Sequence, residues 1–144
     1  MSMKIALSFV CSLVLCVTAF PQRKVVTAAR ANGTYRYRMN EIRIFALGHN
    51  KLRIQMDLAW QYTNDLGPGA NTGTSHGEAT IENDVATFRP EETEDCTITI
   101  KFLKGNKIQV SEDHILNCGW GFNVSSEGTY RKIRAGKPKF DENH

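Results

Sequence analysis

Hydrophobic and polar residues alternate with a period of two through much of the chain after residue 40. The clearest run covers residues 52–60, in which every second side chain is apolar: Leu52, Ile54, Met56, Leu58 and Trp60. This spacing would scatter the side chains around a helix but aligns them on one face of a β-strand. A similar run at 42–46 comes before it, and Gly48-His49-Asn50 separates the two with turn-forming residues. The pattern predicts an antiparallel hairpin.

Two later turns predict a strand register as well as a strand pair. If Asn-Asp at 83–84 forms a two-residue turn, Ile81 lies opposite Ala86 and one face of the hairpin becomes apolar. A three-residue Lys-Gly-Asn turn further along sets Phe102 opposite Ile108. Both assignments follow from the alternation and the turn length together.

The remaining pattern completes an all-β assignment. Trp120, Phe122 and Val124 alternate through a segment broken by glycines, which predicts another strand, and residues 129–133 predict the last. With about eight short strands and no long helical pattern, the fold class is an antiparallel sandwich or a small barrel of about eight strands. Residues 25–31 are the only helix candidate, and a flexible segment fits them equally well.

The first residues have the features of a secretory signal. Lys4 precedes a dense apolar run, and Val17-Thr18-Ala19 offers a cleavage site. The run is shorter than the roughly 20 apolar residues that a membrane-spanning helix needs. We therefore expect a secreted protein, extracellular or periplasmic in a bacterium, with no transmembrane segment in the mature chain. The expected organisation is a signal peptide at 1–19, a flexible mature N-terminus at 20–32, a β-domain at 33–134 and a basic and acidic tail at 135–144.

Cleavage at that site would leave Cys96 and Cys118 as the cysteines of the mature chain. In an exported domain two cysteines usually form a disulfide, here worth about 3 kcal/mol because it closes a loop of roughly 22 residues. Two buried thiols are the alternative. Zinc sites have closely spaced ligands, and the chain has neither C-x-x-C nor H-x-x-x-H. We expect no metal and no cofactor.

Four residues recur at both ends of the β-domain. Gly33-Thr34-Tyr35-Arg36 near its start has the same sequence as Gly128-Thr129-Tyr130-Arg131 near its end. Two copies do not establish an internal repeat. If the first and last strands are neighbours in a closing sheet, both tyrosines could occupy equivalent places along the seam; coincidence is the alternative.

The C-terminal half carries a resemblance to a known group. Its residues are Cys118-Gly119-Trp120-Gly121-Phe122-Asn123-Val124, followed by Gly128-Thr129-Tyr130 and preceded by Gly77-Glu78-Ala79 and the strand Cys96 to Ile100. Over residues 77–133 the chain resembles small exported bacterial proteins of unassigned activity that end in C-G-F-G-x-N-V and G-x-Y, with Trp120 where phenylalanine is more usual. More generally it is similar to periplasmic lysozyme inhibitors, although it has no inhibitor motif. The resemblance implies export and a small β-fold.

His76 and Glu78 are the candidates for catalysis. Residues two apart on a strand face the same side, so the pair could serve as acid and base or as two metal ligands. A polar loop leading into a strand is the simpler explanation. The chain has no H-E-x-x-H and no glycine-rich phosphate loop before a helix. We expect that the protein is not an enzyme, and a hydrolase or metalloenzyme is the less favoured hypothesis.

A binding function has more support. Residues 63–76 have no period of their own and are predicted to form a long loop, either functional or disordered. Trp120 lies between glycines that would leave its indole accessible, although its phase with Val124 also fits a core position. The candidate binding surface is Asn64, Asn71, His76 and Trp120.

The resulting hypothesis is a secreted, non-catalytic β-domain that binds an extracellular protein or glycan, with inhibition as one form of that activity. The alternative is a small barrel that carries an apolar ligand. In that case the apolar side chains of residues 52–60 would line a cavity of several hundred cubic ångströms, whereas in a binding protein they would pack against one another.

Charge and modification sequences refine the choice of partner. The formal net charge is only +3, but acidic residues crowd positions 91–95 and basic residues crowd 131–139. The basic segment could attract an anionic glycan, a membrane surface or an acidic protein, or it could be a solvated end. Nucleic acid is not an expected partner, because no recognition helix or aromatic motif accompanies these cations. Asn32 and Asn123 are candidate N-glycosylation sites if the host secretes through an endoplasmic reticulum.

Overall fold

The structure, a computed structural model, describes residues 25–91, 93, 95–113 and 118–141. The predicted signal peptide lies outside these residues. Within them the chain forms one short helix, α1, and eight strands. Their bounds are α1 Ala28–Ala31, β1 Gly33–Tyr37, β2 Asn40–Gly48, β3 Lys51–Asn64, β4 Gly67–Glu82, β5 Val85–Phe88, β6 Thr97–Leu103, β7 Lys107–Asp113 and β8 Gly128–Ala135. No helix in this part of the chain has the length and apolar character needed to cross a membrane.

The strands form a closed antiparallel barrel in sequence order. Each strand pairs with the next one along the chain, and β1 pairs with β8 to close the sheet. The all-β prediction is therefore confirmed, and the barrel is the correct one of its two architectures. The Cys96–Cys118 disulfide is also present. Closure pairs β1 with β8, whereas β3 beyond Asp57 and β4 before Ala79 pair with each other and with no other strand of the described residues.

The predicted registers are confirmed. Ile81 pairs with Ala86, and Phe102 pairs with Ile108. Asn83 and Asn106, in the two turns, have φ angles of 57° and 56°, a region that asparagine tolerates better than most residues. Turn chemistry and alternation therefore select the same pairing.

Side chains pointing inward from all eight strands fill the barrel. An eight-stranded barrel is just wide enough inside to be packed by its own side chains. The largest fully buried ones are Tyr35, Tyr130, Phe88, Ile42, Ile44, Leu52, Ile54, Met56, Ile98, Ile100 and Ile108. The run at 52–58 thus contributes to a packed core.

The two Gly-Thr-Tyr-Arg copies begin β1 and β8 and meet in the closing seam. Both tyrosines are buried, and each hydroxyl donates to the carbonyl of the residue four positions earlier. Tyr35 donates to Ala31 and Tyr130 donates to Ser126, both at 2.8 Å. Because the strands are antiparallel, one tyrosine ties down the chain before β1 and the other ties down the chain before β8 at the opposite end.

The seam has an approximate local twofold axis between Arg36 and Arg131, which are paired. The residue two positions after each tyrosine covers the tyrosine of the other copy. The Tyr37 ring lies 5.6 Å from the Tyr130 ring, and Lys132 Nζ lies 5.2 Å from the centre of the Tyr35 ring. The repeated sequence therefore corresponds to equivalent places in the seam.

The segment before β1 packs against one end of the barrel. Ala31 is buried, the Arg30 guanidinium donates to the Leu103 carbonyl at 2.8 Å, and the Asn32 side chain accepts from the Ala46 N–H at 2.6 Å. Of the two alternatives for residues 25–31, the helix therefore describes residues 28–31. Their position is fixed by contacts with β2 and with the β6–β7 turn.

The chain after β8 returns along the outside of β2 and β3. The Asp141 carboxylate pairs with Arg43 at 3.0 Å, and its N–H donates to the Gln55 side chain. The Arg53 guanidinium lies 4.7 Å from the centre of the Phe140 ring. These contacts attach the tail to the barrel wall as far as residue 141, although Lys137 and Lys139 are exposed.

Two predicted segments are wrong. Residues 63–76 are not a loop but belong almost entirely to β3 and β4, and only a two-residue turn separates these strands. Residues 120–124 are not a strand: the Val124 N–H bonds to the Gly121 carbonyl in a turn, and Asn123 has a φ angle of 61°. The alternation of apolar residues at 120, 122 and 124 therefore does not correspond to a β-strand.

Candidate binding site

A two-stranded arm, residues 59–72, extends from the barrel. Strands β3 and β4 have 14 and 16 residues, whereas the other strands have between 4 and 9. Pairing of β2 with β3 ends at Glu41 and Asp57, so the residues beyond Leu58 pair only with β4. At about 3.4 Å per residue, the six residues from Ala59 to Asn64 extend the arm by about 20 Å.

A brace, residues 119–122, supports the arm from one side. The Gly121 N–H donates to the Thr72 carbonyl at 3.1 Å, and the Asn71 side chain donates to the Phe122 carbonyl at 2.8 Å. Cys118 attaches the start of the brace to Cys96 just before β6. An isolated two-stranded ribbon is only marginally stable in water, so these bonds help to hold the arm in place.

Large apolar side chains are exposed on the arm and the brace. Leu66 at the tip is 97% exposed and Phe122 on the brace is 80% exposed. Trp60 and Tyr62 are 42% and 40% exposed. Exposed apolar side chains that occur singly are ordinary, but a group of them on one projection is typical of an interaction surface.

Strand geometry puts both aromatic residues on the same face of the arm. Trp60 is opposite Asn71 and Tyr62 is opposite Gly69, so these positions share the face that continues from Leu58 inside the barrel. A Cβ added to Gly69 would lie 2.7 Å from Cζ of Tyr62, so the ring rests directly on the glycine backbone. This face is also the braced one, because Asn71 bonds to Phe122.

The tip of the arm is a tight turn in which Leu66 points into solvent. The Leu66 N–H donates to the Asn64 side chain at 3.0 Å, which fixes the turn locally. No lysine or arginine occurs in the sequence between Arg53 and Arg89, and Asp65 is the only charged residue of the arm. The arm therefore presents aromatic, amide and hydroxyl groups with little net charge.

The structure brings only part of the predicted binding surface together. Asn64 and Asn71 lie at the tip and near the base of the arm, and Asn71 is bonded to the brace that contains Trp120. His76 lies further along β4, on the outer wall of the barrel, where its Nε2 is 3.9 Å from the Glu91 carboxylate. It does not belong to the same surface.

Trp120 contributes to the interior more than to the surface. Its ring is half-buried against the core, and a Cβ added to Gly73 would lie 2.6 Å from its Cγ. Its indole nitrogen is buried with no hydrogen-bond partner in the described part of the chain. The core alternative therefore describes Trp120 better than exposure to a partner does, and Trp60 is the more accessible indole.

Sequence analysis missed the aromatic face for an identifiable reason. The alternation placed Trp60 in phase with Leu58, and this phase is correct. Nothing in the pattern shows that β2 stops pairing at Asp57, so the same face changes from interior to exposed within two residues. The length of the alternating run at 52–60 could have indicated this exposed face. The run has nine residues, whereas strands usually have five or six.

A buried polar cluster anchors the chain between the brace and β8. The Asn40 side chain donates to the Ser125 carbonyl at 2.8 Å and accepts from the Ala59 N–H at 3.0 Å, so it joins the base of the arm to this segment. The Glu112 carboxylate accepts from the Ser125 hydroxyl and from the Ser126 N–H. Burial raises the pKa of Glu112 above its ordinary value, against the opposing effect of these hydrogen bonds.

The predicted acid and base candidates have separate neighbours. Glu78 pairs with Lys51 at 2.7 Å on the outer wall, whereas His76 lies beside Glu91 in a cavity of about 250 Å³ that Gly119 also lines. Within the described residues, no three histidine, cysteine, aspartate or glutamate side chains are grouped so that they could hold a metal ion. His76 and Glu78 thus do not converge on a shared cleft.

The two candidate glycosylation sites differ in exposure. Asn32 is half-buried and its side-chain oxygen is bonded to Ala46, whereas Asn123 is exposed in the turn of the brace. Of the two, Asn123 is the more accessible to a modifying enzyme.

Comparison of the chain with protein-family models, with curated proteins and with solved structures finds no match.

Proposed function

We propose that the protein is a secreted, non-catalytic barrel that binds an extracellular protein through the arm. The observation that carries this proposal is the exposure of Trp60, Tyr62 and Leu66 on a projection that the brace supports from one side. Apolar side chains on a projecting ribbon gain free energy when a partner covers them, at about 25 cal/mol for each square ångström buried.

The composition of the arm suits protein recognition. Trp and Tyr provide rigid contact area at low entropy cost, while Asn, Ser and Gly provide adaptable hydrogen bonds and close backbone approach. The arm combines Trp60 and Tyr62 with Asn64, Asn71 and three glycines at or beside it. The near absence of charge favours a partner surface that is apolar or polar but not strongly charged.

The shape of the arm favours a concave partner. A ribbon of about 20 Å that carries Leu66 at its tip can enter a cleft that a convex barrel wall cannot reach. Enzyme active sites are such clefts, so inhibition of an extracellular enzyme is the form of binding that this shape suits best. A glycan partner remains the alternative within the same proposal.

Two observations favour this proposal over the other hypotheses. The interior positions are filled by side chains such as Tyr35, Phe88 and Met56, which is the packed arrangement expected of a binding protein and not of a carrier of an apolar ligand. Glu78 pairs with Lys51 and His76 lies beside Glu91, so the two candidates have different partners, which supports a binding function over a hydrolase.

The test compares capture from the native extracellular fluid by two triple variants of the oxidised domain. One variant carries Trp60→Ser, Tyr62→Ser and Leu66→Ser. The matched control carries serine at three exposed apolar positions outside the arm, Met39, Leu47 and Ile133. We expect the wild type and the control to retain one specific protein that the arm variant loses at least tenfold. Equal retention by both variants would contradict the proposal.

A further inference from the structure

A basic patch lies on the flank of the barrel formed by β1, β7 and β8 and by the β6–β7 turn. This flank is separate from the arm on β3 and β4. The basic patch consists of Arg30, Arg36, Lys104, Lys107, Arg131 and Arg134.

The centre of the basic patch is a row of three cations on adjacent strands. Arg131 on β8 is the direct partner of Arg36 on β1 and also of Lys107 on β7. Neighbouring strands are about 5 Å apart, and like charges directly opposite each other destabilise a sheet. The sequence thus places the same charge at three successive positions where alternation of charge would be more stable.

Little negative charge within the protein compensates this row. Arg36 pairs with Glu41 at 2.7 Å. Among the residues that the structure describes, Arg131 and Lys107 form no ion pair. Two of the three cations are therefore available to pair with a ligand.

The basic patch continues into a cavity at the α1 end of the barrel. The cavity has a volume of about 320 Å³ and is lined by Arg30, Lys104, Gly105 and Asn106. The Lys132 ammonium lies next to it, donating to the Arg30 carbonyl at 2.6 Å. Burial lowers the pKa of Lys132, and the nearby Arg30 charge lowers it further.

Acidic residues are concentrated across the barrel from the basic patch. In the closed strand order, β4 and β5 lie opposite β8 and β1. A cavity of about 760 Å³ beside β4 and β5 is lined by Glu78, Glu82 and Asp84 and by one cation, Arg89, and Glu78 pairs with Lys51. The excess of carboxylates on this side and the row of cations on the other can orient an anionic ligand toward the basic patch.

We propose that the basic patch binds a linear polyanionic glycan, one that carries sulfate or carboxylate groups along its length. A flexible anionic chain can follow the convex wall and meet Arg36, Arg131 and Lys107 in turn. A planar bilayer would touch fewer of these cations, and the exposed aromatic side chains that could insert into it lie on the arm instead. Duplex nucleic acid would need a recognition element that this flank does not provide.

The experiment measures binding of the oxidised domain to immobilised heparin as a function of salt concentration. The patch variant carries Lys107→Gln and Arg131→Gln. The matched control carries Arg89→Gln and Lys139→Gln, which remove the same charge from exposed positions outside the basic patch. Counterion release predicts that the slope of log affinity against log salt falls by about two in the patch variant, roughly one for each lost contact. The control should keep the wild-type slope.

Several outcomes would overturn the proposal. Equal loss in the two variants would show that net charge alone causes retention. Tighter binding to phosphatidylserine vesicles or to duplex DNA than to heparin at the same salt concentration would assign the basic patch to another partner. Because neither substitution removes a buried contact, urea unfolding of the patch variant should occur at the wild-type midpoint or above it. A lower midpoint, with binding lost, would indicate a structural role for these residues instead.

Discussion

At the residue scale, Glu112 shows how a buried carboxylate can both organise a segment and cost stability. It holds Ser125 and Ser126 in place, yet its raised pKa means that ionisation is less favourable in the folded chain than in the unfolded one. The stability associated with its neutral form is fully present below the unfolded pKa and is lost as pH rises through the folded pKa. Glu112 therefore stabilises the folded protein at acidic pH more than at neutral pH.

We expect Glu112→Gln to remove this dependence on pH. The amide oxygen can still accept from Ser126, and no charge has to be buried. The variant should gain stability relative to the wild type as pH rises from 4 to 8, which urea unfolding at a series of pH values measures. A difference that stays constant over this range would show that Glu112 does not titrate as its burial requires.

Asn40 is the residue that sequence analysis had least reason to single out. It starts β2, and its side chain makes three hydrogen bonds to residues far apart in sequence: Ala59, Ser125 and Tyr130. Each net bond contributes about 0.5–1.5 kcal/mol, so Asn40→Ala should lower the free energy of unfolding by about 2–4 kcal/mol. Asn64→Ala is the matched control, because its one bond lies at the exposed tip and its loss should cost less than about 1 kcal/mol. Equal losses in chemical denaturation would refute this assignment.

At the element scale, the success of sequence analysis follows turn chemistry. The β4–β5 and β6–β7 hairpins have short turns with Asn at positive φ and apolar residues in strict alternation, so pattern and turn length specify a single register. Residues 63–76 carry three glycines and a proline and resemble a loop, because such residues have low strand propensity. Residues 67–76 form a strand because each one pairs with a partner in β3. Pairing with the long strand β3 outweighs the low intrinsic strand propensity of these residues.

The candidate site was predicted only in part, for the same reason. Asn64 and Asn71 were selected because the segment looked irregular, and they do lie on the arm, although the segment is a ribbon. Trp120 was selected for its flanking glycines, but the space beside Gly73 accommodates its ring against the core. No local pattern reports which strands extend past their neighbours, so Trp60 and Tyr62 could not be recognised as exposed.

The disulfide is connected to the arm through the brace. Cys118 holds the start of the brace, and the brace bonds to Asn71 and Thr72. We expect replacement of both cysteines by serine to lower the free energy of unfolding by about 3 kcal/mol. Beyond this global effect, backbone amides of the arm should lose more protection from hydrogen exchange than those of the β6–β7 hairpin, because a loosened brace permits local opening. A uniform loss of protection would show that the bridge stabilises the barrel alone.

At the scale of the whole molecule, closure depends on two buried tyrosines placed symmetrically in the β1–β8 seam. Each ties a preceding carbonyl to one end of the barrel, so the four-residue echo in the sequence marks the two points at which the seam is fixed. Sequence analysis found the repeated Gly-Thr-Tyr-Arg but could not decide between a structural role and coincidence. Whether β1 and β8 are neighbours depends on all eight strands closing into one sheet, which no pair of segments reveals.

Alkaline pH should therefore destabilise the β1–β8 seam at both of its tyrosines. Burial raises the pKa of Tyr35 and of Tyr130 well above the ordinary value of 10.0. A raised folded pKa means that the stabilisation is fully present below the unfolded pKa and is lost as pH rises through the folded pKa. Above pH 10 each tyrosine should then remove about 1.4 kcal/mol of stability per pH unit.

The double variant Tyr35→Phe and Tyr130→Phe separates this effect from the titration of surface lysines. It should be less stable than the wild type near neutral pH, because the hydrogen bonds of both hydroxyls are lost. Its stability should nevertheless fall less steeply above pH 10, by about 2.7 kcal/mol per pH unit. Tyr62→Phe is the control, since its ring is exposed in the folded protein, and it should keep the wild-type slope. Urea unfolding at intervals from pH 9 to 11.5 measures the slopes. A double variant that loses stability as steeply as the wild type would show that alkaline unfolding begins elsewhere, and the seam would then not be the point at which the barrel opens.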